Sequence, residues 1–530
     1  MSGYTGYYCM ENFRKHGQRP SGVSIDGMVR ARRQPVRRAP VDRPPVASKI
    51  PGKTAAARTP FPKIDLDLPD DGKNISSRSR KKSVKRRGFS WWAKRTSIAV
   101  VLLVLLGSGF LFGKGYMKLH KVFKGSTSTA VALKAHVDPN LLKGEGDGRI
   151  NILLLGKGGP GHDGPDLTDT LLVASIDPVN NTMSLVSVPR DLWVAAPTGG
   201  SSKINAVYAN AKYKVLAKNS HDKQGAEAAG INAAEQTMGQ VLGIPIHYYT
   251  MMDFTAFKQA VDTVGGVTIN VPQDLIDPTM AWENHWSSVL ARKGAQQFNG
   301  TQALMYVRSR HGSARGDFDR TERQRLLITA LEQKILTAGT YTNPLKISQL
   351  LSAFGDHIST DMSTNDAGRL AGIMKKVGEV NIKSVGLADP PNNYVTTGSY
   401  GGQSIVQPIA GLQNYGAIQA YIRSALPDGY LVKENASVTV LNGSTVATAA
   451  SSQAALLKSY GYNVGAVAEA PTHDYPKTTV VDLSNNKDQY TKHYLEQRYK
   501  VTATTKLPAN IQPGVARFVI IVGNNETLNR

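Results

Sequence analysis

Residues 149–191 read RINILLLGKGGPGHDGPDLTDTLLVASIDPVNNTMSLVSVPRD. Arg149–Leu155, Leu171–Ile176 and Thr182–Val188 are apolar runs separated by Gly, Pro, Asn and Asp, the pattern of β-strands broken by turns. None alternates strictly, so the strands are expected to be buried on both faces. Further along the chain, Ala226–Leu242 predicts a helix, and Tyr248–Met252 and Val267–Val271 predict further strands. A short helix over Phe254–Val264 lies between those two, and a long one runs from about Arg320 to Leu336. Strands alternating with helices predict an α/β fold, a layered α/β/α domain with a central mixed sheet over residues 147–430.

A smaller α/β unit is expected over 436–526. SVTVLNGS (437–444) is a strand ending in a turn, Ala447–Ser459 is helical with Gly461 as its stop, and TTVVDL and RFVIIVG supply two more strands. A helix near Asp488–Tyr499 sits between them. No nucleophile, His or acid cluster stands out there, so this unit reads as a binding or structural module.

Upstream, the composition changes. The net charge is +23, and residues 1–95 alone carry 23 Lys/Arg against 7 Asp/Glu, or +16 of it. The basicity is therefore a property of one tail, rich in Pro, Arg, Ser and Gly and without hydrophobic periodicity, which reads as disordered. Thr96–Gly113 (TSIAVVLLVLLGSGFLFG) has no charged residue, and eighteen helical residues span roughly 27 Å, enough for a bilayer core. Nine Lys/Arg between Arg78 and Arg95, with Trp91 and Trp92, precede it. The positive-inside rule keeps that cluster cytoplasmic and places the chain beyond Gly113 outside the cell. The expected organisation is a basic cytoplasmic tail (1–95), a single transmembrane signal anchor (96–113), a connector (114–146) and two extracellular domains. A single cysteine, Cys9, excludes an intrachain disulfide framework, so the outer domains must rely on their cores.

Three stretches could carry chemistry. Gly156–Thr170 is a glycine-rich loop after the first strand; its spacing is not that of a P-loop. It carries Asp163, Asp166 and Asp169 just beyond a strand's carboxyl end, where open α/β sheets place ligands. Such carboxylates suit Mg2+, and serve equally as solvated loop acids. Val188-Pro189-Arg190-Asp191 puts an arginine at the end of the third strand, able to fork onto phosphate oxygens or to pair with Asp191. The richest stretch is Tyr306–Arg310 followed by Asp317–Gln324. On a helix Arg320, Arg323 and Gln324 share a face, and on an extended stretch Arg308 and Arg310 would share a side. Converging arginines repel one another unless a polyanion lies between them. A phosphate or pyrophosphate clamp accounts for all four; a basic face neutralised by Asp317, Asp319 and Glu322 accounts for two or three.

Taken in order, RINILLLG, LTDTLLVASID, LVSVPRDLWV, SKINAVYA, GIPIHYYTMMDF, VDTVGGV, ALMYVRSR and DFDRTERQ resemble the LytR–CpsA–Psr family of bacterial cell-wall enzymes. VTVLNGS and VIIVGNN resemble the C-terminal domain often fused to them. The resemblance implies a phosphotransferase at the outer membrane face. It would move a glycopolymer from an undecaprenyl-pyrophosphate carrier to a peptidoglycan hydroxyl, with Mg2+ or another divalent cation. By position, Asp169 matches a metal-associated aspartate, with Asp163 a second candidate ligand. Arg190, Arg308, Arg310, Arg320, Arg323 and Gln324 match residues around the pyrophosphate, and Lys203 of SKIN lines the same site. Asp169, Arg190, Arg308 and Arg310 are the expected catalytic residues. One departure stands out: where the family commonly has an aspartate after the glycine ending the first strand, this chain has Lys157-Gly158-Gly159.

The implied partners are the lipid-linked glycopolymer, peptidoglycan and membrane lipid, and not nucleic acid. Rival readings are a polyprenyl-pyrophosphate hydrolase, a non-catalytic wall-binding protein and a membrane-bound transcriptional regulator. The last lacks any helix-turn-helix pattern. A wall-binding protein would use saccharide-stacking aromatics, for which Trp282 and Trp286 are available, although both read more readily as core residues.

Overall fold

A computed structural model describes residues 130–134, 136–337, 357–377, 381–512 and 514–527. The expected tail, span and the first part of the connector lie outside these residues. Among the described residues no helix is long and apolar enough to cross a membrane.

The apolar runs between 149 and 191 form three neighbouring strands, β1 (Ile150–Lys157), β2 (Thr168–Asp177) and β3 (Thr182–Ser187). A short hairpin comes next, of β4 (Trp193–Ala195) and β5 (Ser201–Lys203), and then β6 (Tyr248–Asp253). After these come β7 (Val267–Val271), β8 (Leu275–Ile276), β9 (Val289–Ala291) and β10 (Gly294–Phe298), followed by β11 (Ile358–Thr360) and β12 (Ile382–Gly386). The central sheet has six strands in the order β11-β6-β1-β2-β3-β12. It is mixed: β1 runs antiparallel to β2 and parallel to β6, while β12 is parallel to β3.

Both faces of the sheet are covered, which is why its strands read as continuous apolar runs. Leu153, Leu155, Leu171, Val173 and Val186 face a core closed by the helices Val207–Leu216, Lys223–Leu242 and Gly416–Ala425. Ile150, Ile152, Ile176 and Leu185 face the opposite way, toward Ala132, Leu133 and the helix Thr364–Met374. Each fully buried Leu or Ile contributes roughly 1.5–3 kcal/mol of transfer free energy, so the two faces together fix the strand register. A third core joins the β7/β10 pair to the helices Phe254–Thr263, Gly300–Arg308 and Asp317–Thr337.

Two differences from the sequence expectations, and one further hairpin, bear on the site. Arg308 and Arg310 do not share an extended stretch. The side chain of Asn299 accepts the Gln302 amide while that of Gln302 reaches back, a capping box that starts a helix running to Arg308. Arg310 lies in the loop beyond and is exposed. Trp282 and Trp286 are not core residues: they are 54% and 81% exposed. Strands β13 (Val395–Tyr400) and β14 (Gln403–Pro408) form a separate hairpin whose Val406 amide bonds the Asp191 carbonyl, bracing the VPRD turn.

The C-terminal unit is a four-stranded sheet of β15 (Ser437–Asn442), β16 (Asn463–Glu469), β17 (Thr479–Asp482) and β18 (Phe518–Val522), in the order β16-β15-β18-β17. The helices Ala449–Ser459 and Gln489–Tyr499 pack in its core, and so do Val137 and Leu142 of the connector. Tyr490 donates to the Val137 carbonyl at 2.7 Å, and Arg498 pairs with Glu145 at 2.6 Å. Strand β1 therefore enters the large domain from a connector already held by the small one.

Candidate functional site

The site forms where β1 ends and β2 begins. The two strands pair in register from Ile150↔Ile176 to Gly156↔Thr170, and then Lys157 pairs with Thr168, leaving one extra residue on β2. That residue is Asp169. A bulge of this kind re-aims a side chain that a regular ladder would hold against the sheet. Gly156 permits it, because a Cβ there would lie 2.9 Å from the Thr170 Cβ.

Three side chains from three elements meet at Asp169. Its Oδ1 accepts from Arg190 Nη1 at 2.5 Å and from Asn205 Nδ2 at 3.2 Å, and its carbonyl accepts from Arg320 Nη2 at 3.1 Å. Arg320 Nη2 lies 2.9 Å from Asp317 Oδ1, and Arg190 Nε lies 3.7 Å from the same oxygen. Lys203 pairs with Asp191 Oδ1 at 2.8 Å, and Asp191 Oδ2 is 3.7 Å from Arg190 Nε. Arg190 is placed by the turn after β3, where the Leu192 amide bonds the Pro189 carbonyl and the Asn205 amide bonds the Arg190 carbonyl. Arg320 is placed by the first turn of the helix Asp317–Thr337, whose acidic start suits its dipole.

Burial acts on three members of this cluster, Arg320, Arg190 and Asp317. It pulls the Arg320 guanidinium below its ordinary value against the attraction of Asp317. It pulls on Arg190 too, but the adjoining Asp169 more than offsets it and holds that guanidinium up. Burial pushes the Asp317 carboxyl up, although Arg320 and Arg190 oppose it. Hydrogen bonding is incomplete here. The Nε–H groups of Arg190 and Arg320 and both Asp317 oxygens are buried without a hydrogen-bond partner among the described residues. Each Nε–H so placed forfeits about 1–3 kcal/mol of desolvation, whereas Asp317 Oδ1 keeps its ion pair with Arg320. Two guanidinium donors lacking acceptors are what an oxyanion with several oxygens would complete.

The other arginines have different partners. Arg308 Nη1 donates to both Glu283 oxygens, at 2.9 and 3.0 Å, and the guanidinium lies 4.9 Å over the Phe254 ring, which makes a T-shaped contact with His162 of the glycine loop. Arg323 is buried and donates to the carbonyls of Tyr306 and Ser309, pinning the turn that carries Arg310. Gln324, next in the chain, is buried as well. The clamp expected from the sequence thus divides. Arg190 and Arg320, with Lys203 one carboxylate away, surround Asp169 and Asp317, while Arg308 stands against the glycine loop's aromatic contact. Asn205, Phe254 and Glu283 were not singled out in the sequence. Only Asn205 had a signal, two residues beyond Lys203 in SKIN.

The glycine loop also accounts for Lys157. Its ammonium pairs with Asp166 Oδ1 at 3.1 Å, and Lys212 approaches the same oxygen at 2.9 Å while Tyr213 donates to Oδ2. Burial pushes the Asp166 carboxyl up, but the bonds from Lys212 and Lys157 outweigh it and hold it low. Asp166 is therefore committed, and Asp163 is exposed. Among the described residues no group of three or more His, Cys, Asp or Glu is gathered for a metal ion. Asp169, with Oδ1 engaged, can offer a divalent cation one carboxylate oxygen. That fits Mg2+, which binds through one or two carboxylates when phosphates and waters complete its shell.

Residues 115–408 match the model of the LytR_cpsA_psr family, and residues 435–525 match that of the LytR cell envelope-related transcriptional attenuator. Over 312 residues the chain is 30% identical to the polyisoprenyl-teichoic acid–peptidoglycan teichoic acid transferase TagV of Bacillus subtilis (strain 168), covering 56% of this chain and 71% of that protein. Over 347 residues it is 26% identical to the cell wall biosynthesis protein LcpA of Corynebacterium glutamicum, covering 61% and 63% of the two. It is also 30% identical over 241 residues to the regulatory protein MsrR of Staphylococcus aureus (strain Mu50), covering 45% and 64%. With a family model spanning more than half its length, the chain belongs to the LytR_cpsA_psr family.

Proposed function

We propose that this chain is a membrane-anchored, extracellular phosphotransferase that moves a glycopolymer from a polyprenyl-pyrophosphate carrier onto a peptidoglycan hydroxyl. The observation that carries the reading is the Asp169–Arg190–Asp317–Arg320 cluster, with two buried guanidinium donors lacking acceptors. The names of the TagV and LcpA relatives support a role in cell-wall polymer transfer.

The acceptor hydroxyl attacks the phosphorus that bears the glycopolymer. A new P–O bond forms, the bridging P–O bond breaks, and the polyprenyl monophosphate leaves. Arg190 and Arg320 take the charge that builds on the phosphoryl oxygens, and Arg308 takes part of it on the leaving phosphate. Lys203 orients Asp191 behind Arg190. The hydroxyl proton passes to Asp317, whose buried, raised carboxyl suits a proton acceptor better than the fully paired Asp166. Mg2+ held by Asp169 would supply further positive charge to the phosphates, with Asp163 as a second carboxylate if the loop closes on it.

The test is product analysis of the purified full-length protein with a polyprenyl-pyrophosphate-linked glycopolymer, with and without peptidoglycan. Polymer bound covalently to peptidoglycan, with release of polyprenyl phosphate, is expected. Equal release with and without acceptor, and no polymer on the wall, would make the chain a hydrolase instead. Arg308→Ala is expected to cut transfer by at least about tenfold.

A further inference from the structure

The segment 277–288 (DPTMAWENHWSS) is an exposed apolar feature tied to the candidate site. Its base is buried: Met280 joins the third core with Leu275, Leu290 and Ala291. Asp277 is fully buried, accepting from Thr279 on its own segment and from the Ser309 hydroxyl at 2.6 Å. Its tip is the reverse. Trp282 is 54% and Trp286 81% exposed, and Ile276, the residue before the segment, is 44% exposed.

A chain hiding its apolar surface has no reason to hold two indoles in solvent, and exposed large apolar groups gathered on one short segment mark an interaction site. The backbone adds to this. His285 and Trp286 are consecutive non-glycine residues in the left-handed region, at φ 50° and 66°. Such residues cost of order 1–3 kcal/mol each and persist where the surroundings over-determine them. Here the Trp286 amide bonds the Ala281 carbonyl, and Asn284 Nδ2 donates to the carbonyls of Ser287 and Val289. The tip is thus a rigid presentation of two aromatic faces.

It is also continuous with the site. Glu283, between the two tryptophans, is the residue that forks onto Arg308, and Arg308 stacks on Phe254 against the glycine loop. We infer that Trp282 and Trp286 form an acceptor platform, on which the sugar rings of an uncharged amino-sugar glycan strand stack beside the transfer site. The C–H face of a pyranose packs on the negative face of an aromatic ring, and the exposed His285 and Ser287 supply hydrogen bonds at its edge. A bilayer surface is the poorer match. The segment 277–288 carries Asp277 and Glu283 and no Lys or Arg, whereas an anionic leaflet attracts basic segments. The inference rests on the proposed transfer to peptidoglycan, whose acceptor side it specifies.

The test uses the full-length protein and a β-1,4-linked N-acetylglucosamine tetramer, followed by tryptophan fluorescence and by calorimetry. Trp286→Ala is expected to weaken binding by about tenfold and Trp282→Ala by about threefold, with Trp286→Phe retaining most of the affinity. Because both side chains are exposed, thermal midpoints should stay within about 2 °C of wild type. Unchanged tetramer affinity in the double alanine variant overturns the platform. So does a loss confined to binding of phosphatidylglycerol vesicles, which assigns the tip to lipid. Tryptophan-dependent glycan binding without any polymer transfer would sink the proposed function and leave the platform standing. Transfer whose acceptor KM ignores both tryptophans would do the opposite.

Discussion

Two buried charged networks in this molecule are built from the same residue types and finished differently. At the junction between the domains, Asp428 accepts from the amides of Gly146, Gly148, Tyr430 and Leu431 and from the Tyr494 hydroxyl. Arg149 beside it donates to the Ser175 hydroxyl and carbonyl and to the Pro427 carbonyl. In the site, Arg320 is buried and Asp317 and Arg190 are largely enclosed, yet part of their hydrogen-bonding capacity is unmet. The first network is complete without a guest. The second is complete only with one, and incompleteness rather than charge is what separates a binding site from a structural joint.

The contrast should show most plainly at the joint. Asp428→Ala strands two glycine amides and the Tyr494 hydroxyl, and should lower unfolding free energy by about 3–5 kcal/mol in urea titrations. A loss under about 1 kcal/mol would mean the joint is not structural. In the site the balance reverses. Arg320→Met or Asp169→Asn should cut transfer by roughly 10²–10³-fold, while stability moves by no more than about 1 kcal/mol. If either variant unfolds as readily as Asp428→Ala, the distinction between the networks fails.

Asp317 extends the contrast to pH. Burial raises its carboxyl in the folded state, so the ionised form is disfavoured there relative to the unfolded chain. Its contribution to stability therefore improves as pH falls through the raised value toward the ordinary aspartate range, and worsens as pH rises. Protonation also removes a negative charge from the site, so inorganic pyrophosphate should bind more tightly over the same fall. Asp317→Asn should flatten that pH dependence and raise pyrophosphate affinity severalfold while transfer drops. Retained transfer would remove Asp317 as proton acceptor. The smallest effect belongs to Arg310, exposed on its loop: Arg310→Ala should shift stability by less than about 0.5 kcal/mol, with any loss of pyrophosphate affinity under about threefold and salt-sensitive.

Much of this architecture is legible in the sequence, because the central strands are buried on both faces and their apolar runs leave no other reading. The positions of Asp169, Arg190 and Arg320 are legible too, since each sits at a strand end or in a helix's first turn. Arg308 reads as extended only because its helix begins with an Asn–Gln capping box at Asn299, outside the stretch that holds the arginines. The division of the arginines is hidden for a different reason. Glu283 and Phe254, which hold Arg308, are remote in sequence and have no local signature. The exposure of Trp282 and Trp286 depends on two left-handed residues that nothing in their side chains announces.

The bulge at Asp169 has one more consequence. Remove that residue and the ladder from Ile150↔Ile176 to Lys157↔Thr168 runs without interruption. The sheet does not need Asp169; it is an insertion that pairing must step around. A one-residue deletion at this point should therefore yield a better-ordered strand pair and a chemically silent protein.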